Sequence, residues 1–293
     1  MSPTAKNRLQ LFVGYPAFFS FAFVLMLYIT FPYGALADRL SLEAKRSANL
    51  DIKIGSLGPA ILGFSARKVA ITPPKQEGQT AEPEPIVIDE VFVRPTVLPL
   101  GVAFKSSLFG GTVSGSFVPL RSRPQLLLTA KNVDLGKSGS KAAMGLDMAG
   151  TLGASVDVTY DPTDFSRSSG KVSLSGGALL INGGTVMQYD LPKVDLGQLD
   201  AEVKIDQGKA TIEAFTLKGN DVEAEISGEV VLAQKLPFSS LNLKVKFKPQ
   251  DDFLKRNSFI ATGLNYAMAR DSKGYYTANV DRFLGNPHFA PVR

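Results

Sequence analysis

The sequence predicts a mainly β chain: an N-terminal transmembrane helix followed by a large antiparallel β-sheet with one or two short helices. Three observations predict it. Leu11–Tyr33 is a run of 23 residues without a charge. From Leu50 onward, apolar and polar residues alternate with a period of two, which puts one set of side chains on each face of a strand. The alternating runs are separated by Gly, Asn-Asp and Asp-Gln-Gly, the punctuation of antiparallel hairpins.

The uncharged run comes first. At about 1.5 Å per residue it reaches roughly 34 Å as a helix, enough to cross a ~30 Å hydrocarbon core. Gly14 and Pro16 near its start are tolerable in a membrane helix, and Tyr15, Tyr28 and Tyr33 suit headgroup depth. Lys6 and Arg8 precede it, so residues 1–10 are expected on the cytoplasmic side and the body outside. A cleaved signal peptide is the rival reading, with Ala35–Ala37 as a small-x-small site. The run is longer than the usual ~7–15 residues of a signal core, which favours a retained anchor over 11–33. Either way, the rest of the chain leaves the cytoplasm.

Leu36, Leu40, Ala44 and Ala48 recur every four residues, so 34–49 reads as an amphipathic stalk helix. The β domain then occupies 50–293. "LDIKIGSL" and "FSARKVAIT" read as a strand pair around Gly58–Pro59. Residues 73–85, "PPKQEGQTAEPEP", are Pro-rich and polar, and read as a flexible loop. Such residues bury too little apolar area to offset their ordering entropy. Deleting Lys75–Glu82 is therefore expected to leave the thermal midpoint nearly unchanged, and a loss of many degrees would show that the segment packs. "IVIDEVFVRPTVLPL" resumes the alternation, with Pro95 and Pro99 suggesting an edge or interrupted strand. Further alternating runs follow to Pro249. "VDLGKSGSKAAMGLDMA" and "DDFLKRNSFIATGLNYAMA" read as short helices, and "GYYTANVDRFLGNPHFAPV" as a last strand and tail.

A loose repeat is visible. Ser114-Gly115-Ser116-Phe117 precedes Leu126, Leu128 and Ala130; Ser227-Gly228-Glu229-Val230 precedes Leu241, Leu243 and Val245. Each unit is a Ser-Gly strand followed by an L-x-L-x-apolar strand. Units of this kind extend a sheet by stacking neighbours.

Several chemistries are poorly served by this composition. There is no Cys, hence no disulfide and no thiolate, and the one histidine, His288, lies between two prolines. It reads as an exposed terminal residue rather than a ligand. Asp251-Asp252 reads as charge at a helix start rather than a catalytic pair. The Gly-rich stretches lack the Lys of a phosphate loop, and no G-x-S-x-G elbow occurs. Lys+Arg 32 against Asp+Glu 27 gives a mild +5 with no basic stripe, so nucleic acid is not expected as a partner. No cofactor and no catalytic residue are expected.

The stretch Gly208–Leu232 poses the functional question. Ala210, Ile212 and Ala214 alternate with Lys209, Thr211 and Glu213, and Val222, Ala224 and Ile226 alternate with acidic residues. One face is apolar and the other charged. Either the sheet closes and that face is a sandwich core, or it curls without closing and leaves an apolar groove suited to acyl chains. The residues expected to line such a groove are Ile212, Val222, Ala224, Ile226, Leu243 and Val245.

The ordered set of "LDIKIGSLGPAILGFSARKVAI", "IDEVFVRPTVLPL", "LFGGTVSGSF", "GKATIEAFTLKGNDVEAEISGEVVLA", "SSLNLKVKFKP" and "LGNPHFAP", behind an anchor and a helix, resembles the AsmA-like proteins. It is most similar to the long form of the type II secretion system protein N family. The resemblance covers nearly the whole chain and rests on apolar alternation and glycines. It implies a curved periplasmic β-sheet, shaped like a half-pipe and anchored in the bacterial inner membrane. It also implies a non-enzymatic role in or beside the type II secretion machine, with other machine subunits as partners. The wider AsmA-like group implies the alternative, a lipid-binding or lipid-transfer protein with phospholipid as ligand.

Overall fold

The computed structural model describes residues 15–48, 50–61, 63–72, 85–119, 123–140, 145–186 and 189–292. It begins with two helices, α1 (Tyr15–Thr30) and α2 (Tyr33–Ala48). The single helix expected over 11–33 is thus corrected: α1 ends at Thr30, Tyr33 already belongs to α2, and residues 11–14 lie outside the described residues. Pro32 is the physical reason. Its ring removes an N–H and disfavours helical geometry at Phe31, so the chain breaks there. No single helix among the described residues is long and apolar enough to cross a membrane. Ala17–Thr30 and Tyr33–Arg46, bent by 60° at the break, pass that test only as a pair. α1 is apolar on every side and exposed on every side, with Phe18, Phe21, Val24 and Ile29 all more than half exposed. α2 carries the expected amphipathic pattern and packs along the first strand.

Among the described residues fifteen strands follow: β1 (Asp51–Ala60), β2 (Gly63–Thr72), β3 (Ile86–Val97), β4 (Leu100–Leu108), β5 (Gly111–Val118), β6 (Gln125–Asp134), β7 (Leu146–Thr159) and β8 (Ser169–Val186). The remainder are β9 (Tyr189–Leu191), β10 (Val194–Asp206), β11 (Lys209–Lys218), β12 (Val222–Val231), β13 (Ser240–Pro249), β14 (Tyr276–Phe283) and β15 (Asn286–Pro291). They form one antiparallel open sheet in sequence order, with β9 appended to β8 and β10 taking the next place in the ladder. The expectation of a mainly β chain with few helices holds.

Local assignments shift. The first hairpin turns at Ala60–Gly63, not at Gly58–Pro59, which lie inside β1. Pro59 is tolerated there because β1 is the edge strand. Of the first expected short helix, the described residues show a 3-10 turn at Leu135–Lys137 and a helical residue at Ser140; β7 begins at Leu146. Gly145, just before β7, has φ +74, and residues 141–144 lie outside the described residues. The second is real: α3 (Asp251–Arg256) and α4 (Ser258–Ala267) bridge β13 and β14, with Asp251 and Asp252 in the first turn of α3. The expected terminal tail is a strand, β15. Of the Pro-rich stretch 73–85, only Pro85 lies within the described residues.

Two clusters hold the ends together. Tyr276 is completely buried; its hydroxyl donates to Asn265 Oδ1 at 2.6 Å and its ring stacks on Phe247 at 5.6 Å. At the other end of the ladder, α1 is clamped to the β1–β2 turn. The Tyr28 hydroxyl shares its one proton between the carbonyls of Ala60 and Gly63 and accepts the Ala60 N–H at 3.0 Å, while Phe64 meets the rings of Tyr28 (6.4 Å) and Tyr33 (5.9 Å). Between these clusters the buried apolar residues are scattered singly, as at Val118, Leu179 and Ala201. The sheet has no deep interior because each strand's substantial contacts are with its ladder neighbours.

Candidate functional site: an uncovered apolar face

Residues directly opposite in an antiparallel ladder point to the same face. Following the pairs therefore maps each face across the sheet. One row runs Pro59, Phe64, Val93, Phe104, Gly115, Leu128, Val156 and Val172. It continues through Val203, Ile212, Gly228, Leu243 and Val280 to Phe289. The row crosses every strand except β9 and meets no polar side chain. No titratable group lies on it.

The six residues expected to line a groove lie on this face. Ile226 stands opposite Val245, Ala224 opposite Phe247, and Val222 opposite Pro249. Ile212 and Leu243 both stand opposite Gly228. All six are half-buried rather than buried. Neighbours on the same face are more open still, with Leu174 42% and Phe289 64% exposed. Among the described residues all the strands belong to one sheet, so no second sheet packs on this face. Its two ends are covered, however: Phe64 lies against Tyr28 and Tyr33, and Val280, Ala278 and Tyr276 are buried where Tyr276 bonds to Asn265 of α4. Acyl chains or another apolar partner could lie along such a surface. Nothing along the row orients a polar substrate.

One residue of the expected pattern is misplaced. Ala214 does not share the face of Ala210 and Ile212. A bulge at Glu213 shifts the register, so Ala214 pairs with Glu202 on the polar face and Phe215 pairs with Ala201 on the apolar one. The bulge exchanges a methyl group for an aromatic ring on the apolar side, which buries more area.

The repeat proves to be in register. Gly115 stands opposite Leu128 and Phe117 opposite Leu126; Gly228 stands opposite Leu243 and Val230 opposite Leu241. In both hairpins the glycine faces the second Leu of L-x-L. A Cβ on Gly115 would sit 2.4 Å from the Leu127 carbonyl oxygen, and one on Gly228 would sit 2.2 Å from that of Asn242.

The opposite face is polar and partly hollow. Its row runs Lys105, Ser114, Thr129, Ser155, Ser173, Glu202 and Ala214. The short side chains leave a concavity of about 700 Å³ bordered by Lys131, Asp200 and Glu202. A second, of about 450 Å³, lies between Arg94, Lys105 and Ser116. None of the six groove residues borders either one. Hydroxyls and charges line these hollows together with apolar groups such as Phe92, Leu127 and Leu174. His288 pairs only with Asp281, at 2.9 Å, and no group of three or more metal-ligating residues occurs among the described residues.

Charge on the polar face is locally compensated. Hydrogen bonds from Ser65 and Arg67 hold Glu90 below the usual carboxylate range, and one from Lys171 does the same for Glu202. The backbone N–H of Tyr275 lowers Asp271, and Glu202 in turn raises Lys171. The lowered carboxylates contribute stability above their unfolded values, 4.5 for Glu and 3.8 for Asp, and lose it as pH falls through the folded values. Raised Lys171 contributes below 10.5 and loses its contribution as pH rises beyond that. The thermal midpoint should therefore stay flat from about pH 5 to about pH 8 and fall in stronger acid. Calorimetry across that range checks this, and a midpoint that rose on acidification would contradict it.

Comparison with protein-family models, with curated proteins and with solved structures returns no match, so the open sheet and its apolar face are the findings on which a function must be argued.

Proposed function

We propose that this chain is a single-pass inner-membrane protein whose periplasmic sheet serves, without catalysis, as a component or accessory of a type II secretion machine. The observation that carries the membrane placement is α1. A helix that is apolar all round belongs in a large core or in a bilayer, and every described side chain of this one except Tyr28 is exposed. Its 16 residues span about 24 Å, and the uncharged run begins four residues earlier, at Leu11. The sheet beyond it is too long to stay flat. Open sheets of more than about ten strands curl or split, and strand twist with one apolar face favours curling into a half-pipe.

The half-open middle of this row, from Val93 to Leu243, favours a second reading of the same surface, an AsmA-like carrier of phospholipid acyl chains. Roughly 25 cal/mol per Å² of apolar surface removed from water would drive an acyl chain onto it. The two readings separate in one experiment. The full chain is extracted in mild detergent, and retained lipids and proteins are identified by mass spectrometry. Secretion-machine subunits without phospholipid support the first reading, stoichiometric phospholipid supports the second, and neither would leave both unsupported.

Ala224→Gln probes the face itself. Ala224 is only half-buried, so the longer amide is expected to reach water without stranding a buried group. Stability is expected to change by less than about 1 kcal/mol while retained acyl lipid falls. A loss of roughly 2–4 kcal/mol would mean that something packs over this position.

A further inference from the structure

We propose that the β3–β4 hairpin tip, Val97–Leu100, dips into the same bilayer that holds α1. The inference rests on the anchor reading above and adds a second membrane contact to it. Tyr28, near the end of α1, is bonded to the β1–β2 turn at Ala60 and Gly63, so that turn lies where the chain leaves the bilayer. α2 then carries the chain away over 16 residues, and β1, packed along it, brings the chain back. The β1–β2 end of the strands is therefore the membrane-proximal end.

The β3–β4 tip lies at that same end, two ladder positions or about 10 Å along the sheet. It also projects further. Phe64 stands opposite Val93, which puts Gly63 level with Arg94. β3 continues to Val97, three residues or about 10 Å beyond that level. The projecting part is apolar and bare: Val97 is 77% exposed, Leu98 94% and Leu100 62%. Ile61, at the neighbouring turn, is 88% exposed. Between Arg94 and Lys105 there is no charge.

The backbone at the tip is suited to an apolar medium. Val97 pairs with Leu100 and Thr96 with Gly101, the Thr96 hydroxyl donates to the Pro99 carbonyl at 2.8 Å, and Pro99 has no N–H to satisfy. Exposed Arg94 stands where the tip would cross the headgroups, placed for lipid phosphate. Apolar side chains entering an interface by about 5–10 Å match this projection. At the opposite end of the strands, the loop before β14 offers Asp271, Ser272 and Lys273 instead.

The chain has no tryptophan, so single tryptophans report position directly. Leu98→Trp, Leu25→Trp and Ser272→Trp are each made in the full chain. Each is reconstituted into vesicles of phosphatidylethanolamine and phosphatidylglycerol, with and without brominated acyl chains. The Leu98→Trp chain should emit at shorter wavelength than the Ser272→Trp chain and lose intensity to bromine, as the Leu25→Trp chain does. The Ser272→Trp chain should be indifferent to bromine. If the Leu98→Trp chain behaves like the Ser272→Trp chain while the Leu25→Trp chain is quenched, the anchor stands and the second contact is refuted. If the Leu25→Trp chain is itself unquenched, the anchor reading fails and takes the second contact with it.

Discussion

A chain carrying Ile226→Asp together with Val245→Asp should melt well below the parent and, on the acyl-carrier reading, lose retained phospholipid. These residues stand directly opposite each other on the apolar face. Each replacement forfeits roughly 1 kcal/mol of partial burial. Two like charges facing across a ladder add up to about 1 kcal/mol more. The sum is about 3 kcal/mol, a large part of the stability of an ordinary domain. The control lies one residue away. Glu225 stands on the other face opposite Lys246, and Glu225→Gln should cost within about half a kcal/mol and leave lipid retention as it was. Denaturant titration and lipid analysis of the same preparations check both arms. Equal damage from the two changes would mean that the faces do not differ as the register requires.

Gly228→Val should be at least as damaging, for a local reason. Gly228 has φ +126, a backbone region that side chains avoid, and its added Cβ would lie 2.2 Å from the Asn242 carbonyl oxygen. Strain of about 1–3 kcal/mol and a clash with rigid backbone act together, so a loss of 3 kcal/mol or more is expected. Valine is a strong strand former, so propensity alone forecasts the opposite sign. Thermal melts of the full chain decide between them, and an unchanged midpoint would show that the ladder relaxes around the new side chain. The equivalent Gly115→Val meets the Leu127 carbonyl and the Phe104 ring and should behave alike.

Much of this architecture was legible because a period of two is a strong signal when repeated over many strands. The hairpin of β11 and β12 and its Asn220–Asp221 turn could be read from alternation, and so could the faces of Ile212, Val222, Ala224 and Ile226. Ala214 could not. A bulge leaves residue identities unchanged and alters only which partner each one meets, and a partner is a long-range fact. The helix break at Pro32 had a visible cause, but the apolar run around it hid the break, since membrane helices tolerate proline. That the strands join one sheet rather than two was beyond sequence altogether: the same alternation serves a sandwich and a single open sheet.

The order of the strands has a consequence for how such a chain comes into being. Apart from the short strand β9, each strand pairs with the one made just before it. The first hairpin can close as soon as Thr72 is free, and each later strand finds a template already in place. Closing a hairpin takes microseconds, whereas synthesis adds roughly 5–20 residues per second. A chain threaded outward in the order of its synthesis would thus never hold more than about one strand unpaired. Its growing edge, a row of open N–H and C=O groups, would be capped by its own next segment before a stranger could reach it. Circular permutation breaks that schedule while keeping the ladder. A version that begins at β10 and carries β1–β8 at its end should reach the same fold after dilution from denaturant, yet aggregate more when it must emerge strand by strand.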